Sequence, residues 1–224
     1  MRRTAILSLV LAVAAAGALS LTMAPDSAPR ADDTPAAKPG IGVATLGSGC
    51  FWCTEKDFDA LPGILSTVSG YMGGPSTSNA TYQEVSTGRT GHVEVLQVTF
   101  DTNKVSYEQV LHHFWRTTDV VDGGGQFCDR GNQYRPAIFA HGADQLKLAQ
   151  DGKAALDATG KLGKPVAVEI RDASTFIKAE DYHQDFYTKD PGRYFSYRAG
   201  CRRDARLDAL WSKDRLDHLK PKTN

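Results

Sequence analysis

Apolar residues occur in two spacings along the chain, which predict short strands alternating with helices beyond residue 40. Short apolar runs bounded by glycine, proline or polar residues predict strands at 41–47, 64–71, 92–100, 137–141 and 165–170. Apolar residues three or four apart predict helices near 51–61, 107–117, 148–160, 179–187 and 204–211. This order of elements predicts an α+β fold, a two-layer sandwich in which helices pack on a mixed or antiparallel sheet, with a ferredoxin-like core in a single domain.

One predicted strand, residues 92–100, carries a carboxylate among apolar side chains. Strand periodicity places Val93 on one face and Glu94 on the other face, together with Leu96. If that face is buried, the loss of hydration raises the pKa of Glu94 and keeps the carboxyl protonated near neutral pH. The alternative for this residue is an edge position from which the side chain reaches water.

Two further segments carry local signals. Ser106 and Gln109 form a capping box, which predicts that a helix begins at Tyr107. Residues 118–136 form a long irregular stretch between that helix and the next strand. An ordered loop of this length in a compact domain is more often functional than structural, so we expect functional residues in it.

The charges of the chain are balanced, which argues against a nucleic-acid partner. Its 224 residues include 26 Lys+Arg and 26 Asp+Glu, without a block of like charges. A hydrophobic content of 41% is enough for a substantial core in one domain. We therefore expect a globular monomer that binds no nucleic acid.

The first residues have the composition of a secretory signal. Arg2 and Arg3 precede an uncharged apolar run from Ala5 to Leu21, which ends in small residues. We predict a signal peptide at 1–24, with an uncleaved anchor in the inner membrane as the alternative. The mature protein is then expected to be exported to the periplasm, without membrane contact after cleavage.

The rest of the chain divides into three parts. Residues 25–40 are rich in proline, alanine and aspartate, which predicts a disordered linker. Residues 41–218 are expected to form the folded domain, and residues 219–224 a polar tail.

Cys50 lies where a predicted strand gives way to a predicted helix. Gly47 and Gly49 allow a tight turn after the strand, and the helix begins at Phe51. A thiol at a helix N-terminus faces the positive end of the helix dipole and free backbone N–H groups, which favour the thiolate. This placement predicts a nucleophile, and the alternative is a small buried hydrophobic residue.

Four cysteines, Cys50, Cys53, Cys128 and Cys201, follow the linker. An even number in an exported chain permits structural disulfides, but the density is too low for a stapled mini-fold, so redox chemistry is equally open. Zinc sites of this type need two C-x-x-C pairs and this chain has one, so we predict no metal. The same pair suggests an alternative function, a thioredoxin-like disulfide oxidoreductase that uses Cys50 and Cys53.

Five motifs in order along the chain resemble the methionine sulfoxide reductase A family. They are GCFWCTE at 49–55, GYMGG at 70–74, TYQEVSTGRTGHVEVLQVTFD at 81–101, DRGNQYRPAIF at 129–139 and AEDYHQDFY at 179–187. The resemblance runs from about residue 41 to beyond residue 200, which would make 41–218 a catalytic domain.

The resemblance implies an enzyme that reduces methionine S-sulfoxide, free or in oxidised proteins, to methionine. It assigns Cys50 as the nucleophile that attacks the sulfoxide sulfur and Glu94 as the donor of a proton to the departing oxygen. Tyr82 and Tyr134 match tyrosines that hydrogen-bond the sulfoxide oxygen or a bound water. Asp129 matches an acidic residue that helps to bind substrate.

The resemblance also assigns residues around these groups. Phe51 and Trp52 match the wall that receives the methyl group of the substrate, beside a sulfur atom that aromatic rings contact favourably. His183 and Glu55 are expected behind the site, where they support it without taking part in the chemistry.

The implied cycle leaves Cys50 as a sulfenic acid, which a second cysteine converts to a disulfide. An external dithiol such as a thioredoxin-like protein then reduces that disulfide, so no bound cofactor is expected. The family places its recycling cysteine in a glycine-containing C-terminal segment, which favours Cys201 here. Cys128, beside Asp129 in the long loop, and Cys53, in the C-x-x-C pair, are the alternatives.

Overall fold

The computed structural model describes residues 39–75 and 80–219. The predicted signal peptide, nearly all of the predicted linker and the last five residues of the predicted tail lie outside the described residues. None of the helices within the described ranges is both long enough and apolar enough to cross a bilayer.

Strands and helices alternate along the described residues. The strands are β1 (Ile41–Gly47), β2 (Ile64–Met72), β3 (Val93–Asp101), β4 (Gly125–Gln126), β5 (Asp129–Arg130), β6 (Ala137–Ala140), β7 (Glu169–Asp172) and β8 (Ile177–Lys178). The α-helices are α1 (Phe51–Asp59), α2 (Tyr82–Val85), α3 (Tyr107–Thr117), α4 (Ala143–Ala158), α5 (Phe186–Lys189), α6 (Pro191–Gly200) and α7 (Arg203–Trp211), with short 3-10 helices at Asn132–Tyr134 and Asp217–Leu219.

Six of the strands form one sheet in the order β7-β6-β1-β3-β2-β8. All neighbouring pairs are antiparallel except β6 and β7, which are parallel. Helix α1 links β1 to β2, α3 lies between β3 and β6 in the chain, and both helices contact the sheet. The central order β6-β1-β3-β2 is that of a ferredoxin-like core, so the predicted α+β sandwich is confirmed.

Strand β3 is buried on both of its faces. Leu96 contributes to the main core beneath the helices with Phe114 of α3, and both side chains are 0% exposed. On the opposite face Val93 packs with Met72 and Phe139, which are also fully buried. The predicted alternation of β3 is therefore correct, and a second apolar cluster covers the face away from the main core.

The predicted capping box begins α3. The Ser106 hydroxyl accepts a hydrogen bond from the Gln109 backbone N–H at 3.2 Å, and the Gln109 side chain accepts one from the Ser106 N–H at 2.8 Å. Two otherwise unpaired N–H groups of the first turn are satisfied in this way, so the helix starts where the sequence predicted.

The strand predicted at 165–170 is displaced in the structure, where β7 covers Glu169–Asp172. Val166 and Val168 are buried in the main core, which accounts for the apolar signal. The N–H of Ala167 between them donates to the Val120 carbonyl at 2.7 Å, so this part of the chain is tied to a loop and not to the sheet.

The helix predicted at 179–187 is wrong, because the helical segment, α5, begins only at Phe186. Bonds to other elements hold the preceding residues in turns: the Gln184 side chain bonds both the N–H and the carbonyl of Ser69 on β2. Asp185 has a φ of 53°, which ends any continuous helix through this position.

Several elements were not predicted, among them the short α2, β4 and β5 as well as β8 and α6. Strand β8 is two residues long and extends the sheet beside β2. Helix α6 begins with Pro191 and is capped by the Asp190 side chain, which accepts from the Arg193 N–H at 3.1 Å.

Candidate active site

A tight turn between β1 and α1 places Cys50 at the N-cap of the helix. Gly49 has a φ of +77°, and a Cβ atom at this position would lie 2.5 Å from the Cβ of Gln126. Only glycine fits both the backbone conformation and the close approach of the neighbouring chain. The turn therefore fixes where the Cys50 side chain, 7% exposed, enters the site.

Glu94 faces the start of α1 from the middle of the sheet. Its carboxyl accepts a hydrogen bond from the Phe51 N–H at 3.1 Å, and the residue is 2% exposed. Burial raises the pKa of Glu94 to about 8, and the nearby charge of Asp129 adds to this effect. The predicted rise in pKa is confirmed, and the edge alternative is wrong because β3 lies between β1 and β2.

A cavity of about 80 Å³ brings the predicted site residues together. Its lining consists of Cys50, Phe51, Trp52, Tyr82, Glu94, Asp129, Tyr134 and Tyr197. Seven of these eight residues were predicted from the sequence as catalytic or substrate-binding. Their individual roles stay predictions, but their juxtaposition is now a structural fact.

Tyr197, on α6, is the lining residue that the sequence did not predict. Its hydroxyl donates a hydrogen bond to the Asp129 carboxylate, which links α6 to the long loop across the cavity. Burial raises the pKa of Asp129, while this bond and the charge of Arg203 oppose the rise. The available signal was an aromatic, basic segment after residue 190, but nothing in that segment indicated which ring reaches the site.

Tyr82 and Tyr134 present neutral phenols to the cavity. Burial raises the pKa of both hydroxyls, and the negative charge of Glu94 raises it further. The backbone N–H of Tyr82 donates to the Glu180 carboxylate at 2.8 Å, and the Tyr71 hydroxyl donates to its other oxygen at 2.9 Å. Glu180, which the sequence reasoning missed, thus fixes the start of the short helix that carries Tyr82.

Trp52 is held from two sides. Its ring stacks on Phe186 with 3.7 Å between centroids, and its indole N–H donates to His183 Nδ1 at 3.0 Å. Burial lowers the pKa of His183 to about 4, so the imidazole is neutral and accepts this bond. His183 also packs against Phe51 and does not line the cavity, and its supporting role stays a prediction.

Glu55 lies on α1 away from the cavity lining. Its carboxylate accepts a hydrogen bond from the Asp185 N–H at 2.9 Å, and burial raises its pKa to about 7. This bond ties α1 to the turn that carries His183, so Glu55 lies behind the cavity lining, and its supporting role stays a prediction.

The sequence predicted a Cys50 thiolate, and the structure contradicts this for the resting enzyme. Burial raises the pKa of the Cys50 thiol well above its ordinary value, and the hydrogen bond with Cys53 and the carboxyls of Glu94 and Asp129 act in the same direction. The loss of hydration outweighs the effect of the helix N-terminus. Cys50 therefore holds its proton until a reaction partner takes it.

The other cysteines differ in state. Cys128 and Cys201 form a disulfide with 4.9 Å between their Cα atoms, whereas Cys50 and Cys53 are free thiols. The disulfide lies beside the cavity, because Cys128 precedes Asp129 and the N–H of Cys201 donates to the Tyr197 carbonyl one turn earlier in α6. Two of the three predicted resolving residues are thus bonded to each other.

A buried thiol that shares a small aromatic cavity with a carboxyl group and phenols is the kind of site that thiol-dependent oxidoreductases use. A family model described as "Peptide methionine sulfoxide reductase" matches residues 42–215 of this chain. The chain belongs to this family, and its curated relatives place it with the A-type enzymes.

Among those relatives, the "Peptide methionine sulfoxide reductase MsrA" of Listeria monocytogenes serotype 4a (strain HCC23) is 49% identical over 174 residues, 78% of this chain and 98% of the relative. "Peptide methionine sulfoxide reductase MsrA/MsrB" of Vibrio cholerae is 48% identical over 205 residues. That match covers 92% of this chain, which spans only about half, 53%, of the Vibrio protein.

Two solved structures share the fold. Mxr1 from Saccharomyces cerevisiae in reduced form has a TM-score of 0.63 at 31% identity and covers 70% of this chain and 90% of its own. Methionine sulfoxide reductase A of Corynebacterium diphtheriae has a TM-score of 0.61 at 32% identity, with coverage of 69% and 77%. Family membership also argues against the thioredoxin-like alternative.

Proposed function

We propose that this chain reduces the S epimer of methionine sulfoxide, free or within oxidised proteins, to methionine. The observation that carries the proposal is the buried Glu94 carboxyl, which faces the first residue of α1 and shares one cavity with Cys50. A sulfoxide needs a sulfur nucleophile and a proton on its oxygen at the same moment. This cavity offers both within a family named for that reaction.

In the proposed first step, Glu94 gives its proton to the sulfoxide oxygen while the Cys50 sulfur attacks the substrate sulfur. The Cys50 proton returns to Glu94, and the oxygen passes to Cys50 as a hydroxyl when the substrate S–O bond breaks. The products are methionine and a Cys50 sulfenic acid, so the atoms of one thiol and one sulfoxide are all accounted for. Glu94 ends the step protonated, as it began.

The remaining lining residues would orient the substrate. Tyr82 and Tyr134 donate hydrogen bonds to the sulfoxide oxygen without adding charge beside Glu94. Phe51 and Trp52 receive the methyl group, which has no polar atom to satisfy. Trp52 is fixed by Phe186 and His183, so the wall is formed before substrate arrives.

Turnover requires that the sulfenic acid be reduced. A second cysteine condenses with it, water leaves, and an external dithiol of the thioredoxin type reduces the resulting disulfide. Because the electrons come from a dithiol, the cycle needs no bound cofactor.

We also propose export to the periplasm, as a monomer, after removal of the first residues. The basic start and the uncharged run from Ala5 to Leu21 support this. Edman sequencing of the protein from its own host should give a start near residue 25, and an intact Met1 start in the membrane fraction would favour the anchor.

The proposed function is tested by supplying separated S and R epimers of methionine sulfoxide with dithiothreitol and measuring methionine. We expect the S epimer to be consumed, the R epimer to remain, and Cys50→Ser to form no methionine. Reduction of insulin disulfides at a higher rate than reduction of the S epimer would instead support the thioredoxin-like alternative.

A further inference from the structure

Arg193 lies next to the aromatic wall of the cavity but is not part of its lining. Its guanidinium carbon lies 5.8 Å from the centroid of the Trp52 ring and 5.6 Å from that of Phe186, the ring that stacks on Trp52. The residue is exposed and does not line the cavity. A positive charge in contact with solvent therefore lies beside the ring that would receive the methyl group of the substrate.

Helix α6 places this charge at the edge of the cavity. Arg193 and Tyr197 are four residues apart on α6, so their side chains lie on one face of the helix. Tyr197 lines the cavity, and its ring meets the Trp52 ring edge-on with 6.0 Å between centroids. Arg193 lies over the same Trp52 ring one turn earlier, so its distance from the cavity is about one helical turn.

The guanidinium group is available to an acceptor from outside the chain. Within residues 39–75 and 80–219, no ion pair joins the Arg193 side chain to a carboxylate. The acid nearest to it in the sequence, Asp190, accepts from the Arg193 backbone N–H at 3.1 Å, as the cap of α6. A guanidinium carries five N–H donors in a planar arrangement that matches the two oxygens of a carboxylate.

An anionic part of the substrate has no favourable position inside the cavity. A volume of about 80 Å³ is filled by the sulfoxide end of a methionine side chain, so the other groups of the substrate lie outside. A carboxylate inside would lose its hydration and would face Asp129, which also lines the cavity. At the edge, beside Trp52, the same carboxylate would keep its hydration and meet Arg193.

We propose that Arg193 binds a carboxylate of the substrate at the edge of the cavity, and that the enzyme therefore favours methionine sulfoxide with an acidic group nearby. The inference rests on the proposed function, since it concerns the substrate of the same cavity. Two sources supply such a group: the α-carboxylate of methionine sulfoxide itself, and the side chain of a neighbouring acidic residue in a protein. The guanidinium recognises both through the same paired hydrogen bonds.

Two pairs of substrates, all of them S epimers, measure this preference and distinguish the sources. The first pair consists of acetylated and amidated peptides in which methionine sulfoxide lies between two glutamates or between two glutamines. The second pair is N-acetyl-methionine sulfoxide and its N-methylamide, which lacks the α-carboxylate. With dithiothreitol as reductant, we expect the wild type to show a KM about fivefold lower for the charged member of at least one pair, at equal kcat.

Three variants locate the preference. Arg193→Gln should remove it and leave the KM of the uncharged substrates within about twofold of the wild type, which also shows that the variant has folded. Arg193→Glu should reverse it, so that the uncharged member of the pair is preferred. Lys189→Gln is the matched control and should keep it, because it removes the same charge from an exposed residue whose Nζ binds a backbone carbonyl.

Salt gives an independent measure of the same contact. The preference of the wild type should shrink at about 1 M salt, where the screening length is only about 3 Å. Equal KM values within both pairs, or a preference that persists in Arg193→Gln, would overturn the proposal. An equal loss of activity on all four substrates in Arg193→Gln would also overturn it, because Arg193 would then only hold Trp52 in place. Absence of methionine from every substrate with the wild type would instead count against sulfoxide reduction itself, so the two failures are distinguishable.

Discussion

At the scale of single residues, the site depends on two groups whose burial suppresses their charged forms. Burial raises the pKa of both the Cys50 thiol and the Glu94 carboxyl, so the resting site holds two protons. In the proposed first step, the Glu94 proton passes to the departing oxygen and stays on it in the sulfenic acid, and the Cys50 proton restores the Glu94 carboxyl. The same burial gives Glu94 two measurable signatures, one in the rate and one in the stability.

The rate of the first step should depend on the protonation of Glu94. Its pKa of about 8 means that the carboxyl is protonated below that pH and loses its proton above it. We expect single-turnover methionine formation to fall as pH rises through 8. Glu94→Gln should slow the step by about 10²–10⁴ and remove this dependence. A rate within twofold of the wild type would exclude Glu94 as the acid.

Protein stability should carry the same signature with no substrate present. The ordinary pKa of a glutamate is 4.5 and that of folded Glu94 is about 8, so between these values the unfolded state releases a proton that the folded state retains. Folding therefore loses stability as pH rises from 4.5 to 8, by on the order of 4 kcal/mol.

Urea unfolding of Glu94→Gln at pH 5 and pH 8 measures this loss. The variant should gain stability relative to the wild type as pH rises, because glutamine does not titrate. Glu108→Gln, at an exposed position of α3, is the matched control and should show no such trend. An equal pH trend in the wild type and in Glu94→Gln would show that the carboxyl is not held protonated.

At the scale of elements, the sequence predicted those whose signals are local. The capping box predicted the start of α3, and apolar runs bounded by glycine, proline or polar residues predicted β1 and β2. The segment 179–187 was mistaken for a helix because its conformation comes from bonds that Glu55 and Gln184 make across elements. Hydrogen bonds to residues far away in the chain leave no periodic pattern in the sequence of the segment itself, so they could not be predicted from it.

The turn that delivers Cys50 can be tested with a matched pair of glycines. Gly49 and Gly160 have φ of +77° and +64°, but only Gly49 has a neighbour close to its missing side chain, Gln126. Gly160→Ala should cost about 1 kcal/mol from backbone strain alone. Gly49→Ala should lower the unfolding free energy by more than this and should also lower activity. The added methyl group forces Gln126 to move, and the turn that carries Cys50 moves with it. Equal unfolding midpoints and equal turnover for the two variants would contradict this role.

At the scale of the whole molecule, buried ion pairs join the C-terminal helices to α1. Asp57 on α1 pairs with Arg198 at 2.9 Å and with Arg203 at 3.4 Å. Arg203 also donates to the Ser48 carbonyl at 3.0 Å, directly beneath the turn that carries Cys50. The C-terminal helices thus support the turn that carries Cys50 from below, as well as supplying Tyr197 to the cavity.

Removing one partner of this network should be costly. Asp57→Asn takes the paired carboxylate from buried Arg203 and leaves Arg198 only its pair with Asp204, which should lower the unfolding free energy by about 3–5 kcal/mol. Asp151→Asn breaks an exposed pair with Lys147, with side chains 61% and 74% exposed, and should cost less than about 1 kcal/mol. Both losses of unfolding free energy are measured by urea unfolding. Similar losses for the two variants would show that the buried ion pairs contribute little to stability.

The sequence predicted those site residues that combine a reactive side chain with a clear local signal in their own segment. Cys50 follows a glycine turn, and Glu94 stands out as a carboxylate among apolar residues, so both were found from the sequence. Tyr197 lies on a helix that the sequence did not predict, and the pairing of Cys128 with Cys201 joins positions 73 residues apart. These features depend on how distant elements pack, which no single segment encodes.

The small volume of the cavity decides which lesions can be repaired. About 80 Å³ admits the tip of one side chain and excludes the backbone that bears it. An oxidised methionine in the core of a folded protein would therefore be reduced only after that protein unfolds locally. One in an exposed terminus or loop would be accessible without unfolding. Repair would in this way follow the structural integrity of the damaged protein.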